Sequence, residues 1–448
     1  MPRARYKQLV DTLVGDIRSG LLVPGTRLPT HRQLAQEHGV ALATATRIYA
    51  ELESMGLVSG ETGRGTFVRE TALPPGQGID QTAAGADILD LNFNYPALPD
   101  QANLLRKALR DLAMAGDMEA LLRYQPHGGR QHEQQAVATH LRERGVSVAA
   151  EQVLLVSGAQ HGLAITAMAL LRPGDVVAVD ALTYSGFKVL AEAYRLELAA
   201  IPVTAHGPDL DALRGLCKTR RVRALYCMPT LHNPLGWVLD LATRQAMARI
   251  AREHGLLIIE DAAYAFLADD PPLAPPPPIA TLAPELTVYV SGFSKSIATG
   301  LRVGFVAAPP AHIAALQRCI RATTWNTPSV MTAIACRWLE DGTVARLEAQ
   351  KRRDASARQA IVRESLNGYA LVGHSASYFT WLPLAEDVRA DVVAMALLNE
   401  GVSVSTAEPF CTAASVPHAL RLALGSLPLT VLPQALGKVR AALERAGF

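Results

Sequence analysis

The sequence predicts a multidomain protein: a small helical unit closed by a two-stranded hairpin, then an α/β unit on a mainly parallel sheet. Three observations carry this. The chain has 448 residues, two to three times the usual length of one domain. Its first 70 residues are short amphipathic runs ending in a Gly-punctuated pair of β-type runs. From 153 to 308, short and continuously apolar runs are separated by helical patterns, the mark of a sheet covered on both faces.

The first unit takes residues 1–70. Leu9, Leu13 and Ile17 share one face of a helix running from about Tyr6 to Ser19. After the breaker-rich LLVPGTRLP, Thr30 is the N-cap of a second helix, which Gly39 ends. Ile48, Leu52 and Met55 set the phase of a third helix, from near Ala43 to Met55. LVSG and GTFV then form a hairpin with Arg64 and Gly65 at its tip. Residues 71–87 open with TALPPGQG, carry no hydrophobic period and read as a linker.

Residues 88–448 form the large unit. VLLV (153–156), VVAV (176–179), LAAIPV and ALYCM (224–228) are each followed by a helical pattern, and LLIIE, LTVYV and VGFVAA add further strands. DDPPLAPPPP (269–278) reads as a rigid surface loop.

Composition narrows the function classes. Hydrophobic residues make up 49% and charged residues 19%, which excludes a disordered or fibrous chain. No apolar run is long enough to span a membrane. Five cysteines without a C-x-x-C pair argue against a disulfide framework or a zinc site, and a reducing cytoplasm is the expected location. His127 and His132 are a close pair with no cysteine beside them, so no metal is expected. The net charge of +2 lies entirely in the first 70 residues, and residues 1–47 hold seven basic and three acidic side chains. That asymmetry favours an anionic partner for the small unit.

A helix-turn-helix presents the first turns of its second helix to the base edges of double-stranded DNA. Here those turns carry Thr44 and Arg47. Thr30 and Arg32 are placed for phosphates, and Arg64 and Gly65 for a wing. The motifs Y-x-Q-L, PGTRLPTHRQLA (24–35), ELESMGLV and GRGTFV (63–68) resemble the winged helix of the GntR family. The resemblance implies DNA contacts at those same positions.

In the large unit, potential cofactor-binding groups follow the strands. A Schiff-base cofactor needs a lysine, an anion cradle, a carboxylate for its ring nitrogen and a planar group for its ring. Gly158, Ala159 and Gln160 open a helix after VLLV; Tyr184 follows VVAVDAL; Asn233 lies beyond ALYCM; Asp261 and Tyr264 follow LLIIE; Ser294, Lys295 and Arg302 follow LTVYV. All fall at the carboxyl ends of strands, where open sheets bind ligands.

SGAQHGL, TYSG, HNPLG, EDAAY, SGFSK, GLRVG and LRLALGS resemble the fold type I aminotransferases. The resemblance implies pyridoxal 5'-phosphate (PLP) on Lys295, with Asp261 on the ring nitrogen, Asn233 and Tyr264 on the phenolate oxygen, and Tyr184 stacked on the ring. Ala159, Gln160, Ser294 and Arg302 would hold the phosphate, joined by Tyr124 of the partner subunit. Arg421 would grip the carboxylate of an amino acid. Gly292 stands where relatives often have a hydroxyl for the phosphate, and the neighbouring Ser291 either compensates or does not.

A GntR-type reader fused to an aminotransferase-like domain resembles the MocR subgroup of bacterial regulators. That implies a head-to-tail homodimer that binds operator DNA and senses an amino acid or amine through aldimine exchange at Lys295. The alternative is an active aminotransferase with an accessory DNA-binding domain.

Overall fold

The computed structural model describes residues 2–18, 21–22, 26–55, 57–61, 65–68, 88–115, 117–268, 275–385, 388–413 and 415–447. The predicted linker, Arg64 and most of the Pro-rich loop lie outside this set.

The small unit has three helices, α1 (Pro2–Arg18), α2 (His31–His38) and α3 (Leu42–Ser54). Strands β1 (Val58–Glu61) and β2 (Gly65–Val68) pair antiparallel, with Glu61 opposite Gly65. Thr30 caps α2 in a reciprocal box: its hydroxyl accepts from Gln33 N, and Gln33 Oε1 accepts from Thr30 N at 2.8 Å. Gly39 ends the helix at φ 61°, a left-handed position that favours glycine. Val10, Val14, Ile17, Leu34, Ile48, Leu52 and Val68 close a core of their own.

The large unit begins with β3 (Leu89–Leu91). Seven strands follow that form the central sheet: β4 (Val153–Val156), β5 (Val176–Asp180), β6 (Glu197–Ile201), β7 (Val222–Cys227), β8 (Leu257–Asp261), β9 (Thr287–Gly292) and β10 (Gly304–Ala307). Their order is β4-β10-β9-β8-β7-β5-β6, and β10 alone runs antiparallel to its neighbours. The short connection from β9 to β10 leaves no room for the crossover that a parallel pair needs. Alternate residues of one strand enter different cores: Leu154 and Val156 pack on one face, Val153 on the other. Both faces are therefore covered, as the unbroken apolar runs require.

A second sheet was not anticipated. Strands β11 (Phe379–Pro383), β12 (Val402–Thr406) and β13 (Ala419–Ala423) assemble in the order β11-β13-β12-β3. Strand β3 lies parallel to β12, with Leu89 opposite Val402. The long helix Thr343–Ser365 joins the two sheets. Arg358 on this helix donates to Leu424 O and Leu427 O, at 2.5 and 2.6 Å.

The small unit touches this second sheet region. Arg389, with 7% of its side chain exposed, reaches Asp11 on α1 at 2.7 Å and Glu51 on α3 at 3.6 Å, and Asp391 at 3.3 Å. Burial opposes the guanidinium's charge, but Asp391 and Asp11 outweigh it and raise its pKa. No helix among the described residues is long and apolar enough to cross a membrane.

Candidate cofactor and effector pocket

Ten of the predicted residues line one cavity of about 520 Å³: Ala159, Gln160, Tyr184, Asn233, Asp261, Tyr264, Ser294, Lys295, Arg302 and Arg421. The carboxyl ends of the central strands bring nine of them together, and β13 supplies Arg421 across the cleft between the two sheets.

The cradle is built at the start of helix Ala159–Leu170. Gly158 sits at φ 88°, and a Cβ there would meet Arg302 Nη2 at 2.6 Å. Arg302 donates to Ser294 Oγ and to Ser157 O, both at 3.2 Å. A guanidinium thus lies beside the residue that opens a helix, a site suited to a phosphate. Gly292 cannot carry a hydroxyl, because a Cβ there would meet Gly304 Cα at 2.9 Å. Of the two alternatives for Ser291, the structure favours no compensation: its Oγ donates to Ala262 O at 3.1 Å, and it is not among the residues lining the cavity. Ser294 stays available beside Arg302.

Asp261 ends β8. Its carboxylate accepts from Tyr226 Oη at 2.9 Å and from Ala263 N at 3.0 Å. Burial raises its pKa, and these two donors oppose the rise. Tyr226, which the sequence reading did not single out, is fully buried and stacked on Phe187 at 3.8 Å. No signal in the sequence marks it, since Ala224, Leu225 and Cys227 surround it in the strand. Tyr184 lies over Gly186, whose added Cβ would strike the ring at 2.5 Å. Burial, then Asp261, push the Tyr184 hydroxyl far above its ordinary value.

Lys295 Nζ donates to Asn94 O at 2.8 Å and lies 5.6 Å from the Tyr264 ring centre. Arg421 is 5% exposed; its Nη1 donates to Asn92 O at 2.7 Å. Its guanidinium lies over the rings of Phe379 and Phe410, at 5.5 and 5.6 Å. Burial lowers its pKa, and Tyr264, Asp90 and Tyr184 work against that. The segment Asn92–Tyr95 is a wall of the cavity that the sequence reading did not assign.

Tyr124 is not brought into this cavity. It is 81% exposed and packs at a tilt against Trp325, with ring centres 5.0 Å apart. On the small unit, Arg32 and Arg47 are exposed and Thr44 is half-buried. Arg47 lies over the Tyr6 ring at 4.7 Å. Gly65 has φ 119°, and a Cβ would meet Arg27 Nε at 2.8 Å, so its first duty is to let the hairpin close on Arg27.

The residues fit pyridoxal phosphate. Three cations, Lys295, Arg302 and Arg421, face one carboxylate, Asp261, in the cavity lining. Gln160 Oε1, Asn233 Oδ1 and Arg421 Nε are buried without a hydrogen-bond partner. Unpaired buried polar atoms are costly and rare, and here all three belong to residues that line the same cavity.

Residues 86–439 match the aminotransferase class I and II family. The chain belongs to that family. Residues 5–68 match the bacterial regulatory proteins of the gntR family. Over 417 residues the chain is 27% identical to the uncharacterized HTH-type transcriptional regulator YdeF of Bacillus subtilis, covering 92% of this chain and 88% of that one. It is 28% identical to the 2-aminoadipate transaminase of Thermus thermophilus, over 67% of this chain and 77% of that one. The structure of the Thermus thermophilus α-aminoadipate aminotransferase LysN, complexed with N-(5'-phosphopyridoxyl)-L-leucine, is similar with a TM-score of 0.73 and 26% identity. The likeness covers 81% of this chain and 93% of LysN. This aminotransferase-family chain is thus a GntR-type helix-turn-helix fused to a PLP-binding domain of fold type I, consistent with the MocR subgroup.

Proposed function

We propose that the protein is a cytoplasmic, PLP-dependent transcriptional regulator that senses an amino acid or amine through aldimine exchange at Lys295. The observation that carries this reading is the joint presence of the three-cation cavity and a DNA reader on one chain. PLP supplies an electrophilic aldehyde and an electron-withdrawing ring. Asp261 holds the ring nitrogen, supported by Tyr226; Asn233 and Tyr264 face the phenolate oxygen; Tyr184 covers the ring. Gly158, Ala159, Gln160, Ser294 and Arg302 take the phosphate, with Tyr124 of the partner subunit in a head-to-tail homodimer. Arg421 forks onto the effector carboxylate.

On operator DNA, Thr30 and Arg32 take phosphates, Thr44 and Arg47 enter the groove, and Arg64 and Gly65 form the wing. Sensing requires that the effector favour one of two conformations of the dimer. A preference of about 10⁴-fold is needed to move it from mostly one to mostly the other.

The test titrates purified protein with a panel of amino acids, following the visible spectrum and operator binding together. An α-amino acid effector changes both, and Arg421→Ala abolishes both while PLP stays bound. The transaminase relative favours a second reading, an active aminotransferase. Turnover near ~10 s⁻¹, with operator affinity indifferent to the amino acid, decides for that reading.

A further inference from the structure

Lys351 is fully buried on the long helix Thr343–Ser365. Its Nζ donates to three carbonyls, Pro96 O at 2.8 Å, Lys295 O at 2.9 Å and Ile297 O at 2.7 Å. Among the described residues no ion pair compensates it. The nearest carboxylates are engaged elsewhere: Asp354 takes Arg358 at 2.8 Å and the Tyr378 hydroxyl at 2.9 Å, and Glu348 takes Arg144. Burial and the charge of Lys295 pull the Lys351 ammonium down to about 7, against Asp354 and Glu348. The geometry favours the protonated form all the same, since three acceptors need three N–H donors and a neutral amine offers two. A buried cation held only by carbonyls is an expensive way to fill a core that Met or Leu would fill more cheaply.

What it holds explains its place. Lys295 sits on a helix of a single turn, Phe293–Ser296. So short a helix cannot satisfy its own last carbonyls; Lys351 satisfies Lys295 O and shares Ile297 O with Gln101 Nε2, which donates to it at 2.7 Å. Its third acceptor, Pro96 O, lies two residues beyond Asn94, whose carbonyl receives Lys295 Nζ. One ammonium therefore ties the main chain of Lys295 to the wall segment that its side chain meets.

We propose that Lys351 is a positioning residue for Lys295, fixing the main chain from which the lysine reaches PLP; this rests on the cofactor reading above. The amine of Lys295 condenses with the aldehyde of PLP, releasing water, and the product carries the visible band. Placement errors near 1 Å cost such reactions about 100-fold.

The experiment adds PLP to cofactor-free full-length protein and records growth of the visible band, alongside total bound PLP. Borohydride then supplies the hydride that fixes the link to Lys295 for peptide mapping. Lys351→Met is expected to slow the band by roughly tenfold or more while total bound PLP and operator binding hold. Lys351→Gln keeps two donors and is expected to fall between. A merely structural lysine would lower the melting temperature and leave the band's rate alone. A folded variant that links PLP at the wild-type rate overturns the proposal. So does failure of both variants to fold, which would make Lys351 a core support. A wild-type protein that never gains the band overturns the cofactor reading itself, and the clamp with it.

Discussion

At Gly158 two constraints meet. Its φ of 88° disfavours any L side chain, and its missing Cβ leaves the space that Arg302 Nη2 occupies. Gly158→Ala is expected to strain the turn and displace the guanidinium, weakening PLP by about 1–3 kcal/mol. Fluorescence titration of PLP against wild type checks this; an unchanged affinity would show that the phosphate lies elsewhere. Most of the pocket was legible at this scale because its groups, Arg421 within β13 apart, come after apolar strands. Lys295, Asp261 and Asn233 announce themselves as polar residues where a buried run ends. Tyr226 and Lys351 did not. Tyr226 is hidden among apolar neighbours, and nothing in a single sequence tells a solvated lysine from one that caps three distant carbonyls.

Among the elements, the central sheet was readable because its strands are buried on both faces and so carry no polar interruption. The second sheet was not. Strand β3 has only three residues and pairs with β12, which lies far along the chain, so no local period marks the partnership. The helix Gln131–Glu143 shows how a single carboxylate can hold elements together. Glu133, 2% exposed at its side chain, accepts from Arg130 at 2.7 Å and from Thr332 Oγ1 at 2.6 Å, joining that helix to Ser329–Glu340. Burial pushes its pKa up, but the bonds from Arg130 and Thr332 outweigh this and the net shift is down. A depressed folded-state pKa means that its stabilisation is present above the ordinary carboxyl range and is lost as pH falls through the folded value. Glu133→Gln is expected to cost about 3 kcal/mol at neutral pH. The deficit should shrink on acidification. Urea melts at pH 7 and pH 4 measure it, and an equal deficit at both would refute the linkage.

For the whole molecule, the informative contact is Arg389, which meets α1 and α3 of the DNA-reading unit and Asp391 of its own region. Asp391 is the first-turn acid of helix Ala390–Asn399, which contacts the second sheet. Arg389→Ala would leave Asp11, Glu51 and Asp391 facing one another. Amide exchange along α1 is expected to quicken by roughly tenfold, about 1.4 kcal/mol, with less effect at high salt. Exchange in α1 identical to wild type would show that the pairing contributes nothing in solution. TALPPGQG, where the sequence divides the units, lies outside the described residues. How the units touch was not legible, because an ion cluster drawn from residues 11, 51, 389 and 391 leaves no pattern along the chain.

Strand β3 sets where this protein can be divided. It reads as the first residues after a linker, which invites a trim just past it. Yet it supplies the border of the β11-β13-β12-β3 sheet, and the residues after it line the cavity. Truncation beyond Pro96 would strip Val402–Val404 of its neighbour, exposing a row of unpaired main-chain groups that template aggregation. It would also remove the carbonyls that receive Lys295, Arg421 and Lys351. A transplant of this PLP-binding domain onto another helix-turn-helix unit must therefore cut upstream of Leu89.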